Sequence, residues 1–508
     1  MTKLGFEIGG INMGTSVQDT QQQKKTQTRN PFHALVMANF SGDRVFSNNL
    51  KPLQVDRDNF DEILTKTQPV LKLEIENKNT IDLNFKELED FEPDALYERL
   101  DIFAQLRSLR RRLANQSTFS EAAQEMNDWS NINQSTTEAT DDVARIDNAI
   151  QPDNLLDAML SETANRQKKN QSTTGSDLAK NLIRDIVAPH ILPSADPKQA
   201  EYIESVDNSI SELMSIVLHH PKFQALESAW RGLYFTIKRT KTDTDLKLFL
   251  LDIDKTTLEK AVDADDEKDT NFYKKIVEPY TGIAGAKPWS VWIGDYEIKD
   301  QANDIFFLER MGKLATYTNA SFIAGAAAQL VSCQSLANTP DADDWKLDRD
   351  NNLLKAWQYL RDSSQAKHLA LVFPKFLLRI PYGLKTKAVE CFEYEEMPKP
   401  IHENYLWGNA GYALLYLLAE SYSLDKWQFK PGQINEISGL PVHIYKDDDG
   451  EQQLKPCAEI LLTDSGADKV LQNGIMPVWS VKHEDKIRIG PMVSLHSEPQ
   501  LIHGLWVH

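Results

Sequence analysis

A chain of 508 residues has room for roughly two to four domains, and 41% hydrophobic content with ten Trp excludes wholesale disorder. Acidic residues outnumber basic ones by 75 to 56, a net charge of −19, which speaks against a generic nucleic-acid surface because such affinity rests on clustered Lys and Arg. Cys333, Cys391 and Cys457 lie far apart and form no CxxC pair, which argues against a disulfide framework or a zinc site and suits a reducing cytoplasm.

Residues 1–29 are rich in Gln, Thr and Lys and are expected to be disordered. No apolar run follows Lys3, so no secretory signal is read there. Phe32–Phe40 reads as a buried strand closed by a turn at Ser41-Gly-Asp43. Leu71, Leu73 and Ile75 alternate with Lys72 and Glu74, the two-residue period of a half-buried strand. The period then changes. Leu96, Leu100, Phe103, Leu106, Leu109 and Leu113 draw one apolar stripe along a helix, with Arg107, Arg110, Arg111 and Arg112 near its negative end. Residues 30–114 are thus expected to form a small α+β domain.

From Asn115 to Thr140, and again from Arg166 to Gly175, Asn, Gln, Ser and Thr dominate, so 115–175 reads as a flexible linker. Within it, near 153–162, Leu155, Leu156, Met159 and Leu160 share one face of a short helix started by Pro152 and Asp153. That helix could dock a partner or pack on its neighbour. The main body, 176–508, is expected to be mixed α/β. Helices are read at Leu178–Val187, Tyr202–Leu218, Ile305–Tyr317 and Leu354–Arg361. Strands are read at Leu246–Leu250, Trp289–Ile293, Ala320–Ala324 and His368–Val372. Gly411–Ala419, followed by Glu420, is too short for a membrane helix, which needs roughly 18 apolar residues, and reads as a buried one. The fold class is therefore α/β to α+β in a cytoplasmic protein without membrane insertion.

Chemistry is sparse. There is no GxGxxG, no GxxxxGK[ST] and no GxSxG elbow, and Gly383-Leu-Lys-Thr386 lacks the upstream part of a phosphate loop. His402-Glu403 has no second His at zincin spacing, and His219-His220 before Pro221 suits capping or packing better than metal binding. Cys391 has no local base, and Asp263/Asp265/Asp266 and Asp447-Asp-Asp449 read as solvated turns, with cation binding the lesser alternative. No catalytic residue, cofactor site or metal site is assigned.

The stretch that redirects attention is Leu218–Phe235, where a helix breaks at Pro221, restarts, and sets Trp230 and Arg231 beside Gly232. Together with Trp292-Ile-Gly-Asp-Tyr-Glu297, Phe373–Gly383 and Tyr405-Leu-Trp-Gly-Asn-Ala410, in that order, it resembles the large subunit of the type VI secretion contractile sheath (TssC-like). Trp230, Trp292 and Trp407 read as core or interface anchors, with Gly232, Gly294 and Gly408 permitting close backbone approach. Arg379 is expected to pair with a carboxylate. Pro31–Gly42, Val55–Glu62, Leu88–Ala95 and the helix ending at Leu113 resemble the sheath small subunit (TssB-like), so one chain carries both partners.

The resemblance implies a structural protein, not an enzyme, that polymerises with other sheath subunits around an inner tube above a baseplate. It also implies that an AAA+ unfoldase of the ClpV type grips a helix corresponding to Leu155, Leu156, Met159 and Leu160. The family's large subunit continues for about a further domain beyond the region matching Gly474–Val478, so the C-terminal part is expected to be shorter here. Two alternatives stand beside this reading. One is a non-polymerising accessory that caps, nucleates or regulates assembly; the other is an α/β enzyme with an unfamiliar pocket.

Overall fold

The computed structural model describes residues 30–44, 50–75, 79–127, 199–281, 285–447 and 449–507. The helix read at 178–187 and the amphipathic helix near 153–162 lie outside them.

Phe32–Ala38 (β1) is buried at every position, as a strand covered on both faces must be. Leu53–Val55 (β2) and Phe60–Thr67 (α1) follow, and then Val70–Ile75 (β3) and Asn79–Asn84 (β4) form a separate antiparallel pair. In β3, Leu71, Leu73 and Ile75 are buried while Lys72 and Glu74 are exposed, as the alternation predicts. The single stripe read over Leu96–Leu113 is two helices, Pro93–Arg99 (α2) and Asp101–Ala114 (α3). Leu100 between them is extended (φ −80°, ψ 127°). The break turns the chain so that Tyr97 packs on Phe103, ring centroids 5.7 Å apart, while Arg99 reaches back to Asp90. Helical periodicity survives such a turn, so the pattern alone could not show it. The polar stretch after Asn115 carries a further helical run over 119–127, with Ala122 and Met126 buried.

The body begins with Gln199–Leu218 (α4) and Pro221–Arg239 (α5). Pro221 occupies the first turn of α5, where its missing N–H costs nothing, and the His220 ring accepts from the Lys222 N–H at 3.2 Å. Leu246–Asp252 (β5), Lys255–Ala261 (α6), Val291–Ile298 (β6), Ala302–Thr318 (α7), Ser321–Ala326 (β7), Asn351–Arg361 (α8) and Leu369–Phe373 (β8) then alternate. Phe376–Leu377 (β9) pairs with Trp407–Gly408 (β10), and Ala410–Asp425 (α9) follows. The remaining elements are Glu436–Ile437 (β11), the hairpin His443–Lys446 (β12) and Gln452–Lys455 (β13), Asp464–Gln472 (α10), Ile475–Ser480 (β14) and Ile487–Ile489 (β15).

Nine strands make one sheet in the order β11-β15-β14-β8-β7-β6-β1-β5-β2. The six from β14 to β5 run parallel, and the outer strands are antiparallel. The N-terminal strand β1 lies inside this sheet, with Phe32 opposite Leu246 on one side and Ala34 opposite Val291 on the other. Because side chains alternate along a strand, Ala34 and Val36 enter a core shared with α3, α4, α5 and α9. Leu35 and Met37 enter a second core shared with α6, α7 and α8. This is a mixed α/β fold with helices on both sheet faces. The residues read as a small N-terminal domain contribute strands to the same sheet as the body.

Candidate functional site: the internal junction

Helix α5 lies at the centre of the junction between residues 31–127 and the body. Trp230 is fully buried. Its indole N–H donates to the Phe40 carbonyl at 3.0 Å, and its ring meets Phe40 and Phe60 edge-on, with centroids at 5.0 and 5.7 Å. The same side chain thus satisfies its polar atom and fills the seam. Gly232 lies against α9. A Cβ there would stand 2.4 Å from the Tyr412 ring, so only glycine lets the two helices approach this closely.

The next face of α5 carries charge. Arg379 Nε donates to Glu227 at 2.9 Å, and its two terminal nitrogens donate to Glu396 at 2.7 and 3.0 Å. Arg231 Nε also donates to Glu227, at 2.7 Å, and its fork reaches the Tyr382 hydroxyl at 3.3 Å. Glu396 further accepts from the Tyr382 backbone N–H at 2.8 Å, and His219 Nε2 lies 3.4 Å away. Burial alone would raise the Glu396 carboxyl, but the Arg379 guanidinium and these donors bring it down to about 2. Burial also opposes the charge on Arg379 and Arg231, yet the facing carboxylates hold both guanidinium groups more firmly protonated than usual. The network has two cations against two anions, as a buried cluster requires.

Trp407 joins α5 through its carbonyl, which accepts from Ser228 Oγ at 3.0 Å, while its indole donates to the His402 carbonyl at 2.9 Å. A Cβ on Gly408 would lie 2.5 Å from Leu378. Trp292 points into the opposite core, edge-on to Phe272 at 5.4 Å, and Gly294 lets Tyr296 and Phe322 close over β6. Trp230, Arg231, Gly232, Arg379, Trp407 and Gly408 therefore converge around α5, and Trp292 and Gly294 do not. Leu155, Leu156, Met159 and Leu160 lie outside the described residues. Sequence reasoning missed Glu227, Glu396, Tyr382 and Tyr412. Arg379 signalled a carboxylate partner, but Glu227 is 152 positions away.

A second clamp holds α2 and α3. Lys387 pairs with Glu92, and the backbone N–H groups of Glu390 and Cys391 donate to Asp94 at 3.0 and 2.8 Å. Phe392 packs on Tyr97 at 4.8 Å, and Arg110 binds Asp207 of α4 through Nε and a terminal nitrogen. Beside this clamp, partial burial and the carboxylates of Asp94 and Glu98 push the exposed Cys391 thiol up to about 11, the opposite of an activated nucleophile.

A pocket of ≈ 200 Å³ opens at the carboxyl ends of β6, β7 and β8, where open α/β sheets commonly take ligands. Here Lys375 Nζ pairs with Glu297 at 2.8 Å, and Glu459 accepts from the Lys375 N–H at 2.9 Å. Among the described residues no cluster of three or more His, Cys, Asp or Glu could hold a metal. No helix among them is long and apolar enough to cross a membrane.

Residues 200–496, more than half of the chain, match VipB, the EvpB-type tail sheath N-terminal domain. The chain belongs to this tail sheath family. Residues 11–167 of the sheath chain match VipA, a type VI secretion system family. The type VI secretion system sheath protein TssC1 of Pseudomonas aeruginosa is 30% identical over 315 residues, which cover 59% of this chain and 63% of that protein. The sheath chain thus spans just under two thirds of that relative. Both parts of the resemblance read from sequence are present in one chain. Phe40 and Phe60 fall in the VipA match and Trp230 in the VipB match, so the seam around Trp230 joins the two matched segments.

Proposed function

We propose that this chain is a structural subunit of a type VI secretion contractile sheath, working by protein–protein contact and not by catalysis. The observation that carries this reading is the junction itself. Segments matching two sheath families share one sheet and one core, so a single chain joins parts of both sheath partners in one folded block. Trp230, Arg231, Gly232, Arg379, Trp407 and Gly408 would keep that block rigid while neighbours move, which force transmission demands. In sequence terms the block comprises a small-subunit-like part over 30–114, a connection over 115–175 and a large-subunit-like part over 176–508.

Its partners on this reading are other sheath subunits, an inner tube protein and a baseplate, in the cytoplasm. A ClpV-type unfoldase would engage Leu155, Leu156, Met159 and Leu160. Leu156→Asp with Met159→Asp should abolish capture of that unfoldase in a pull-down while leaving the circular dichroism spectrum unchanged; undiminished capture removes the assignment. Electron microscopy of the purified chain, alone and with tube protein, tests assembly. Helical tubules support the sheath reading, whereas particles that never elongate favour the non-polymerising accessory.

A further inference from the structure

The Tyr412 hydroxyl has one proton and two acceptors within reach. Its oxygen lies 3.0 Å from Asp295 Oδ2 and 3.2 Å from the Ala229 carbonyl of α5. Asp295 sits where β6 slips register against β7, between Gly294 and Glu297. The fully buried Tyr412 ring is wedged against Gly232. A phenol cannot donate to both acceptors at full strength. Which one it serves depends on the proton content of Asp295.

We propose that Asp295 and Tyr412 form a proton-linked latch on α5. With Asp295 ionised, the Tyr412 proton is held by the carboxylate. With Asp295 protonated, the carboxyl becomes the donor to the Tyr412 oxygen, and the Tyr412 proton turns to the Ala229 carbonyl, one residue before Trp230. One proton is taken from solvent, none is lost, and α5 gains a hydrogen bond from α9. The groups facing Asp295 are Tyr412 from α9, Asn409 at the N-cap of α9, Tyr296 from β6, and Lys375 beyond β8. Asp252 and Asp254, next to Tyr296, add negative charge. Burial pushes the Asp295 carboxyl up to about 6, against the opposing pull of Tyr412 and Lys375, which places the change in mildly acidic solution.

Hydrogen–deuterium exchange of peptides covering α5 in the full chain, corrected for intrinsic rates, tests the latch. In the wild type, protection at pH 5 should exceed that at pH 7.5 by roughly fivefold, the scale of one net hydrogen bond. Asp295→Asn, whose amide donates at every pH, should be protected at both. Tyr412→Phe should stay at the lower, pH 7.5 level of protection at both and be flat with pH. Wild-type protection that does not change with pH, or an Asp295→Asn variant that still titrates like the wild type, overturns the proposal.

Discussion

Replacing Arg379 with Ala removes, among the described residues, the side chain that pairs with both Glu227 and Glu396. The Arg379 side chain is 9% exposed and that of Glu396 1%, so solvent cannot take over its role. Breaking a buried pair from one side leaves an uncompensated charge and costs ~3–5 kcal/mol at neutral pH. The pH dependence follows from Glu396, whose carboxyl is held at about 2 against an ordinary 4.5. A depressed carboxyl contributes stability that is complete above the ordinary value and is lost as pH falls toward the depressed one. In Arg379→Ala burial acts with less opposition, so Glu396 takes up a proton at a higher pH and relieves part of the cost. The deficit of the variant should therefore shrink between pH 7 and pH 4. Urea unfolding followed by tryptophan fluorescence at both pH values measures it, with Arg379→Lys, which keeps the charge but loses the planar fork, falling in between. A deficit under about 1 kcal/mol at pH 7, the range of ordinary surface changes, refutes the reasoning. So does one that is equal at both pH values.

Three further outcomes are expected. Trp230→Phe leaves the buried Phe40 carbonyl without its indole donor and should lower stability by about 2 kcal/mol in the same urea assay. Cys391, although exposed, should be alkylated slowly by iodoacetamide at pH 8 because its thiol is pushed up to about 11; Asp94→Asn should speed the reaction several-fold. His33, buried in β1 near Lys247 and Lys287, is held down to about 4 from 6.5, first by burial. It takes up its proton more readily unfolded than folded, so it should subtract stability as pH falls from 6.5 to 4. Urea midpoints of His33→Leu should lose less over that interval than those of the wild type.

Local patterns were legible and long-range pairings were not. The alternation in β3, the helix at α4 and the buried helix at α9 follow from the spacing of apolar residues within a few turns. The insertion of β1 between β5 and β6 leaves no local trace, because a strand buried on both faces reads the same whichever strands flank it. The strand read from Trp289 begins at Val291 because Trp289 is used elsewhere, its indole donating to the Ile276 carbonyl. At the junction, Trp230, Gly232 and Arg379 could be named from residue type within the segments that carry the sheath resemblance. Their partners Phe40, Tyr412, Glu227 and Glu396 could not: Phe40 lies 190 positions from Trp230 and Glu227 152 from Arg379, and Glu396, though only 17 positions from Arg379, looks like an ordinary surface acid. The two-residue strands β9, β10 and β11 are too short to show any period.

Everything proposed for assembly depends on residues 31–127 and 199–507 forming one folded unit. Asn127 lies beside the start of the body, its side-chain oxygen accepting from the Tyr202 hydroxyl at 3.1 Å, so contacts across the seam extend to the end of the first segment. Co-expressing a tagged 1–127 with an untagged 199–508 and purifying on the tag measures this directly. An equimolar complex that survives gel filtration is predicted, and Trp230→Asp with Arg379→Ala should dissociate it. Recovery of the tagged segment alone, soluble and folded, would contradict the shared core.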